Sequence, residues 1–337
     1  MKHILKIILA STGILVISSC IKVLDYDIPD DEKRIVVNGI ISNCDTFKVN
    51  INKSLHILDR LGLKAIDDAL VQLLEDDMLV SEITEGRAGL YVSDFIPVCG
   101  HNYLIKVSVP GMKTASAGCT IPFPVSIEQV DTSTATYKSV WYQYYDVDSM
   151  IEIINYMKEM KSSIIFADPE ETENYYELEA TVSYLQNEYY RDEDTSYFIG
   201  NRRFSSTPSL KSNDPVVELY VSGKYIISDN SENDYYSGQK ILFSDQLING
   251  QKYKLNISFV STYLISNDEY RDSVKVDFHL KSVTKDYFIY MQLLEKHLQV
   301  KDDPLSEPSQ AYSNINDGLG ILAGFSESVF SISINKP

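Results

Sequence analysis

Asn102-Tyr103-Leu104-Ile105-Lys106-Val107-Ser108-Val109, followed by Pro110-Gly111 and then Lys113 to Thr120, is the stretch that decides the fold class. Two β-prone runs joined by a Pro-Gly turn read as a hairpin. The same pattern recurs upstream in Gly89-Leu90-Tyr91-Val92-Ser93, in Ala69-Leu70-Val71-Gln72-Leu73-Leu74-Glu75 after the acidic pair Asp67-Asp68, and in Phe47-Lys48-Val49-Asn50-Ile51-Asn52. Phe47 to Asn52 alternates with period two, as a half-buried strand does, while the β-branched run Ile35-Val36-Val37-Asn38-Gly39-Ile40-Ile41 predicts a more buried strand. About six or seven short strands in fewer than roughly ninety residues predict an immunoglobulin-like or transthyretin-like β-sandwich over residues 35–122. Ile121-Pro122-Phe123-Pro124 then interrupts the sheet and marks a boundary.

From residue 125 to 337 the text predicts a larger β-rich domain. Expected strands are Ser163 to Phe166, Tyr175 to Tyr184, Val216 to Val221, Lys240 to Phe243, Lys252 to Val260, Val274 to Val283 and a last strand from Val329 to Ile334. Phe288, Met291, Leu294 and Leu298 recur at helical spacing, so residues 286–300 are expected to be a helix with Thr284 and Asp286 as caps. A second helix is expected near Ser149 to Met160. The fold class is therefore mainly β with one or two helices.

The opposite direction leads to the start of the chain. Lys2 and Lys6 precede a short apolar run, Ile7 to Ile17, too brief to span a bilayer. It ends in Ile17-Ser18-Ser19-Cys20, which reads as a lipobox: residues 1–19 are a lipoprotein signal peptide and Cys20 is the lipid attachment site. Residues 20–34 follow as an acidic tether, rich in Asp and Glu from Asp25 to Glu32. Removing Lys2 and Lys6 takes the net charge from -18 to about -20, a surface that repels nucleic acid and anionic headgroups.

The chemistry-bearing residues form no recognisable catalytic or metal pattern. There is no G-x-S-x-G, H-E-x-x-H or C-x-x-C, and the five histidines are scattered. Cys99 and His101 sit two apart and could share a strand face, but no third group orients them. Among Cys44, Cys99 and Cys119 one disulfide could form in an exported chain, with the pairing left open. Asp192, Glu193 and Asp194, or Asp229, Glu232 and Asp234, could supply calcium ligands but lack EF-hand spacing. No cofactor is expected. Gly318-Leu319-Gly320 with Gly324 reads as a turn and close packing between the helix and the last strand, not as a phosphate loop. The chain holds 24 tyrosines and one tryptophan, and Trp141, Tyr142, Tyr144 and Tyr145, near Tyr137, make the candidate ligand-binding cluster. The alternative is a strand with half its rings inside. Tyr189-Tyr190 with Tyr197-Phe198 is a second aromatic group, expected in a connecting hairpin.

Several phrases resemble a known family. Ile165-Phe166-Ala167-Asp168-Pro169 with Asn174-Tyr175-Tyr176 is similar to its "F-x-D-P … N-Y-Y" strand-turn-strand, and Phe243-Ser244-Asp245 with Asn249-Gly250-Gln251-Lys252-Tyr253 to the hairpin after it. Tyr312-Ser313-Asn314-Ile315-Asn316-Asp317-Gly318-Leu319-Gly320-Ile321-Leu322-Ala323-Gly324 resembles its closing "S-N-I-x-N-G-L-G-I-F-x-G", with Asp317 in place of an asparagine and Leu322 of a phenylalanine. These features identify a resemblance to the Bacteroidota outer-membrane lipoproteins grouped as domain of unknown function 4249. The resemblance implies a lipid-anchored, surface-exposed outer-membrane protein that accompanies a SusC-type TonB-dependent transporter without catalysis, and the aromatic cluster adds a glycan or peptide as the expected ligand. It carries over no catalytic residue. A fimbrillin-like adhesin subunit and an extracellular hydrolase are the competing expectations.

Overall fold

The computed structural model describes residues 32–55, 62, 64–146, 149–192, 195–218, 236–238, 240–261, 271–300 and 312–335; the expected signal peptide, Cys20 and most of the expected tether lie outside them. The first strands are β1 (Ile35–Ser42), β2 (Lys48–Lys53), β3 (Lys64–Ala65), β4 (Leu70–Glu75), β5 (Met78–Ile83), β6 (Leu90–Val92), β7 (Asn102–Ser108) and β8 (Ala115–Thr120). Then come β9 (Ile127–Asp146), β10 (Ser149–Ala167), β11 (Tyr175–Asp192), β12 (Thr195–Ser206) and β13 (Leu210–Ser212). After the short helix α1 (Pro215–Glu218) follow β14 (Tyr236–Gly238), β15 (Lys240–Ser244), β16 (Lys252–Ser261), β17 (Arg271–Val283), helix α2 (Lys285–Val300) and β18 (Gly318–Asn335). The protein is mainly β, as its alternation predicts.

The first core lies between two sheets. Strands β1, β2 and β6 pack Ile35, Val37, Val49, Ile51 and Tyr91 against Val71, Leu73, Ile105, Val107 and Ala117 of the sheet ordered β5-β4-β7-β8. Alternation explains the geometry: along β7 the side chains of Tyr103, Ile105 and Val107 are buried while Lys106 is exposed. Tyrosine seals this core as well as filling it. The Tyr91 hydroxyl donates to the Ile66 carbonyl at 2.9 Å and accepts from the Ala69 amide at 2.8 Å.

A second core lies between β11, β15 and β17 on one side and the sheet ordered β14-β13-β16-β10-β9 on the other, with Phe166, Tyr176, Phe243, Phe259 and Phe278 at its centre. Strand β18 joins the two parts. Its first half runs parallel to β1, from Ile35 opposite Gly318 to Ser42 opposite Phe325. Its second half runs antiparallel to β17, ending with Ser273 opposite Asn335. The segment 121–126 between the cores is irregular, and its Val125 amide donates to the Ser282 hydroxyl at 3.1 Å.

Helix α2 forms where the apolar spacing places it. The Thr284 side chain accepts from the Tyr287 amide at 3.3 Å and caps its start, while the Asp286 carboxylate accepts from the Tyr312 hydroxyl. Tyr287 and Phe288 then pack on Ile321 and Ala323 of β18.

Three expectations need correction. Residues 149–160 are not helical but belong to β10, paired with β9 along its length. The β-branched Ile151, Ile153 and Ile154 suit a strand, and a long-range partner outweighs the helix-like spacing of Met150, Ile153 and Ile154. The expected strand from Val216 to Val221 begins instead as α1: Pro215 opens it, and the Asp214 carboxylate accepts from the Val216 amide at 3.3 Å. The glycine run 318–324 is not a turn but the first half of β18. There Gly320 has φ +106, and a Cβ on it would lie 2.1 Å from the Val37 carbonyl oxygen, so glycine is what lets β1 and β18 pair.

Candidate functional site

The residues that carry the family resemblance form a latch. Asp168, buried at the end of β10, accepts from the Tyr176 hydroxyl and from the Gly250 amide at 3.0 Å. Asn174 donates its amide to Asp245 at 2.7 Å and its side chain to the Pro169 and Thr172 carbonyls. Burial raises the Asp245 carboxyl, the Asn174 amide opposes that rise, and the nearby Asp168 and Glu173 carboxylates add to it. Asp214 is similarly committed, to the Tyr253 hydroxyl and to the Asn256 amide at 3.2 Å. In the closing motif, Asn314 accepts from the Leu322 amide at 2.9 Å and donates to its carbonyl at 2.7 Å, standing in for a neighbouring strand. Each polar group named here has a structural partner, so the signature records how the chain is fastened.

A charged cluster lies on the outer face of β11 and β17 beside α2. Glu177 is fully buried and accepts from Lys281 at 2.8 Å, Lys240 at 3.2 Å and the Tyr287 hydroxyl at 2.6 Å. Burial alone would push its carboxyl up, but Lys281 and Lys240 outweigh that and hold it below the usual carboxylate range. Lys281 is also held by Glu179 at 2.9 Å and lies over the Phe325 ring at 5.4 Å. Glu327 pairs with His279 at 3.1 Å, which lowers its carboxyl pKa against the effect of burial.

An open polar groove of about 610 Å³ crosses β9, β10, β16 and β13. Strand register builds it. Asp131, Ser163 and Asn256 stand in one row, and Ser133, Lys161, Ser258 and Lys211 in the next, with Glu159 and Asn213 at the ends. Both acceptors and cationic donors line it, and Ser163 donates to Asn256 at 2.8 Å. Such a surface can offer both hydrogen-bond donors and acceptors to a polar ligand. Sequence reading missed it, because its residues come from four strands and only register brings them together.

The aromatic candidates lie on ribbons. Among the described residues, β16 pairs with β10 from Lys158 onward, and residues 149–157 form with β9 a ribbon about 30 Å long. It carries Trp141 opposite Ile153, Tyr142 opposite Glu152 and Tyr144 opposite Met150. The register shifts between Tyr144 and Asp146, so Tyr145 falls at the irregularity. The distal β11–β12 ribbon pairs Tyr189 with Phe198 and Tyr190 with Tyr197, and Phe198 and Ile199 are exposed. Because β10 and β11 both lead away from the 168–174 latch, the two ribbons leave the core at the same end.

The remaining candidates are separated. Among the described residues no group of three or more His, Cys, Asp or Glu could hold a metal ion, and Glu193, Asp194, Asp229, Glu232 and Asp234 lie outside them. His101 turns from Cys99 to Asp76, at 2.7 Å. Cys44, Cys99 and Cys119 are free thiols.

Comparison with known proteins yields one match. A family model described as a domain of unknown function, DUF4249, matches residues 21–331. No curated protein and no solved structure matches the chain.

Proposed function

The chain belongs to the DUF4249 family, and on that basis we propose that it is an outer-membrane lipoprotein, anchored through a lipid on Cys20, that acts without catalysis as a substrate-capturing partner of a SusC-type TonB-dependent transporter. The observation that carries this reading is the direction of the fold. The described chain enters β1 at Ile35, beside Gly318, while β18 runs about 60 Å to Asn335 at the end from which both ribbons leave. On this reading a lipid on Cys20 tethers the chain, and the aromatic-rich hairpins, with Phe198 and Ile199 exposed, are offered to a transporter and its glycan or peptide cargo. The polar groove on the same sheet as β9 offers hydrogen-bonding groups to that cargo.

Two features favour this over the competing readings. A strand-exchanging adhesin subunit would need a terminal strand that can be given up, whereas β18 is paired with β1 and β17 and buries Ile321, Leu322 and Ala323. A hydrolase would need a carboxylate pair clustered in a cleft, and the buried acids Asp168, Glu177, Asp214 and Asp245 are each engaged by structural donors.

The test is purification of the tagged native protein from detergent-solubilised outer membranes, with mass spectrometry of what remains bound and Cys20→Ala as the control. Recovery of a stoichiometric TonB-dependent transporter, lost in the control, is expected. A ladder of self-assembled subunits or a lone monomer would overturn the proposal.

A further inference from the structure

The groove across β9, β10, β16 and β13 sorts its charges by row. Lys161 on β10 is opposite Ser133 on β9 and Ser258 on β16, and Ser258 is opposite Lys211 on β13. Two lysines therefore flank one serine hydroxyl. The backbones of Lys161 and Lys211 stand two strand spacings apart, about 10 Å, and each four-carbon stem can lean toward an anion held over Ser258. Lys161 is exposed and pairs with no carboxylate among the described residues, although Glu159 lines the same groove. Its ammonium is available to a ligand.

The neighbouring row has a different chemistry. Asp131, Ser163 and Asn256 lie about 7 Å further along the strands, two residues from the lysine row and on the same face of the sheet. Ser163 donates to the Asn256 carboxamide at 2.8 Å and Gln129 donates to the Asp131 carboxylate at 2.6 Å, so both groups are held in place. A carboxylate accepts from hydroxyl groups, and a carboxamide both accepts and donates. Among the residues lining the groove there is no aromatic ring, and Ile257 is the one large apolar side chain. Its ligand is therefore polar over most of its surface. A pyranose ring with an anionic substituent meets both rows at once, its anion at one edge and its vicinal hydroxyls at the other. An acidic peptide brings the charge but lacks the hydroxyls that Asp131 would accept from.

We infer that this groove binds a saccharide carrying a carboxylate or a sulfate, with Lys161, Ser258 and Lys211 holding the anion and Asp131 and Asn256 the ring hydroxyls. The assignment rests on the substrate-capturing role proposed above and narrows its cargo to an acidic glycan. The chain as a whole carries a net charge of -18, which repels anions at long range. Selection of an anionic sugar must then come from short-range contacts in the groove, where charge-assisted hydrogen bonds from lysine are stronger than neutral ones.

The test is titration calorimetry of the purified full chain with an oligomer of hexuronic acid, the same oligomer with its carboxyl groups reduced to alcohols, a sulfated oligosaccharide, and oligoglutamate. The hexuronic or the sulfated probe is expected to bind about tenfold or more tighter than the reduced oligomer and oligoglutamate, and whichever binds identifies the anion. Lys161→Gln should weaken that binding about tenfold without altering the affinity for the reduced oligomer, and Ser258→Ala should show a smaller loss. Added salt should weaken binding more in the parent than in Lys161→Gln. Equal affinity for the neutral and anionic saccharides, binding of oligoglutamate as tight as that of the saccharides, no binding of any probe, or a folded Lys161→Gln protein that binds like the parent would overturn the assignment. Transporter recovery is read in a separate purification, so absence of saccharide binding with the transporter still recovered overturns this assignment and not the partnership.

Discussion

The two ends of this protein are built to different rules. At the β1 end, backbone and buried polar groups are fitted so closely that single atoms matter: Gly320 leaves no room for a Cβ beneath Val37, and Asn314 completes the hydrogen bonds of Leu322. At the other end, among the described residues, β9–β10 and β11–β12 continue as hairpins beyond the ends of β16 and β17. An isolated hairpin contributes little stability in water. Under the proposed function, the contrast assigns stability to the first end and recognition to the second.

Substitutions at graded positions test that division. The largest effect is expected from Gly320→Ala, which combines a positive φ with a backbone collision; it should cost about 5 kcal/mol or more and prevent accumulation of folded protein, read by circular dichroism and expression level. A well-folded Gly320→Ala protein would mean that the β1–β18 pairing is less tight than its geometry implies.

Glu177→Ala should follow, at about 3–5 kcal/mol by denaturant unfolding, because it removes the buried carboxylate that Lys281, Lys240 and the Tyr287 hydroxyl bind. The same cluster predicts a pH dependence. The folded-state pKa of Glu177 is depressed, so its contribution is full above the ordinary carboxylate value of 4.5 and drains away as pH falls through the folded value. Lys281 is raised above 10.5, as its carboxylate partners outweigh desolvation, so its contribution persists to that pH and is lost as pH rises through the folded value. Comparing unfolding midpoints across pH in the parent and Glu177→Gln should show the acid-side loss flattened in the variant. An identical acid limb in both would remove Glu177 from the explanation.

Asn314→Ala should cost less, about 1–3 kcal/mol, since it leaves the backbone amide and carbonyl of one residue unpaired. The smallest stability change belongs to the ribbons: Trp141→Ala and Phe198→Ala should each stay within about 0.5 kcal/mol of the parent. Their expected phenotype is reduced recovery of the transporter in the same purification. A large stability loss there would erase the contrast between the two ends.

Much of the architecture could be read along the chain. Period two marked β2, Pro110-Gly111 marked the β7–β8 hairpin, and apolar spacing after Thr284 marked α2, each a pattern that local physics enforces. The segment 149–160 shows where that reading stops. Its Met and Ile residues fit a helix or a strand, and only pairing with β9 decides between them. The same holds for the polar groove, whose rows exist because β9, β10, β16 and β13 adopt one register. The tyrosine-rich composition was legible as suited to strands or ligands, but not as a set of buried hydroxyls binding Ile66, Asp168, Asp214 and Glu177.

By itself, then, the sequence determined a mainly β protein with one substantial helix and a set of motif residues sufficient to identify the family. Those properties follow from short-range effects: alternation, turn chemistry and capping act within a few residues of one another. Tertiary structure decided which strands are neighbours, that β18 serves both cores, and that the motif acids are structural fastenings. These outcomes depend on contacts between residues tens to hundreds of positions apart. Their energies arise only when burial and backbone pairing are satisfied together, and no local pattern encodes that joint condition.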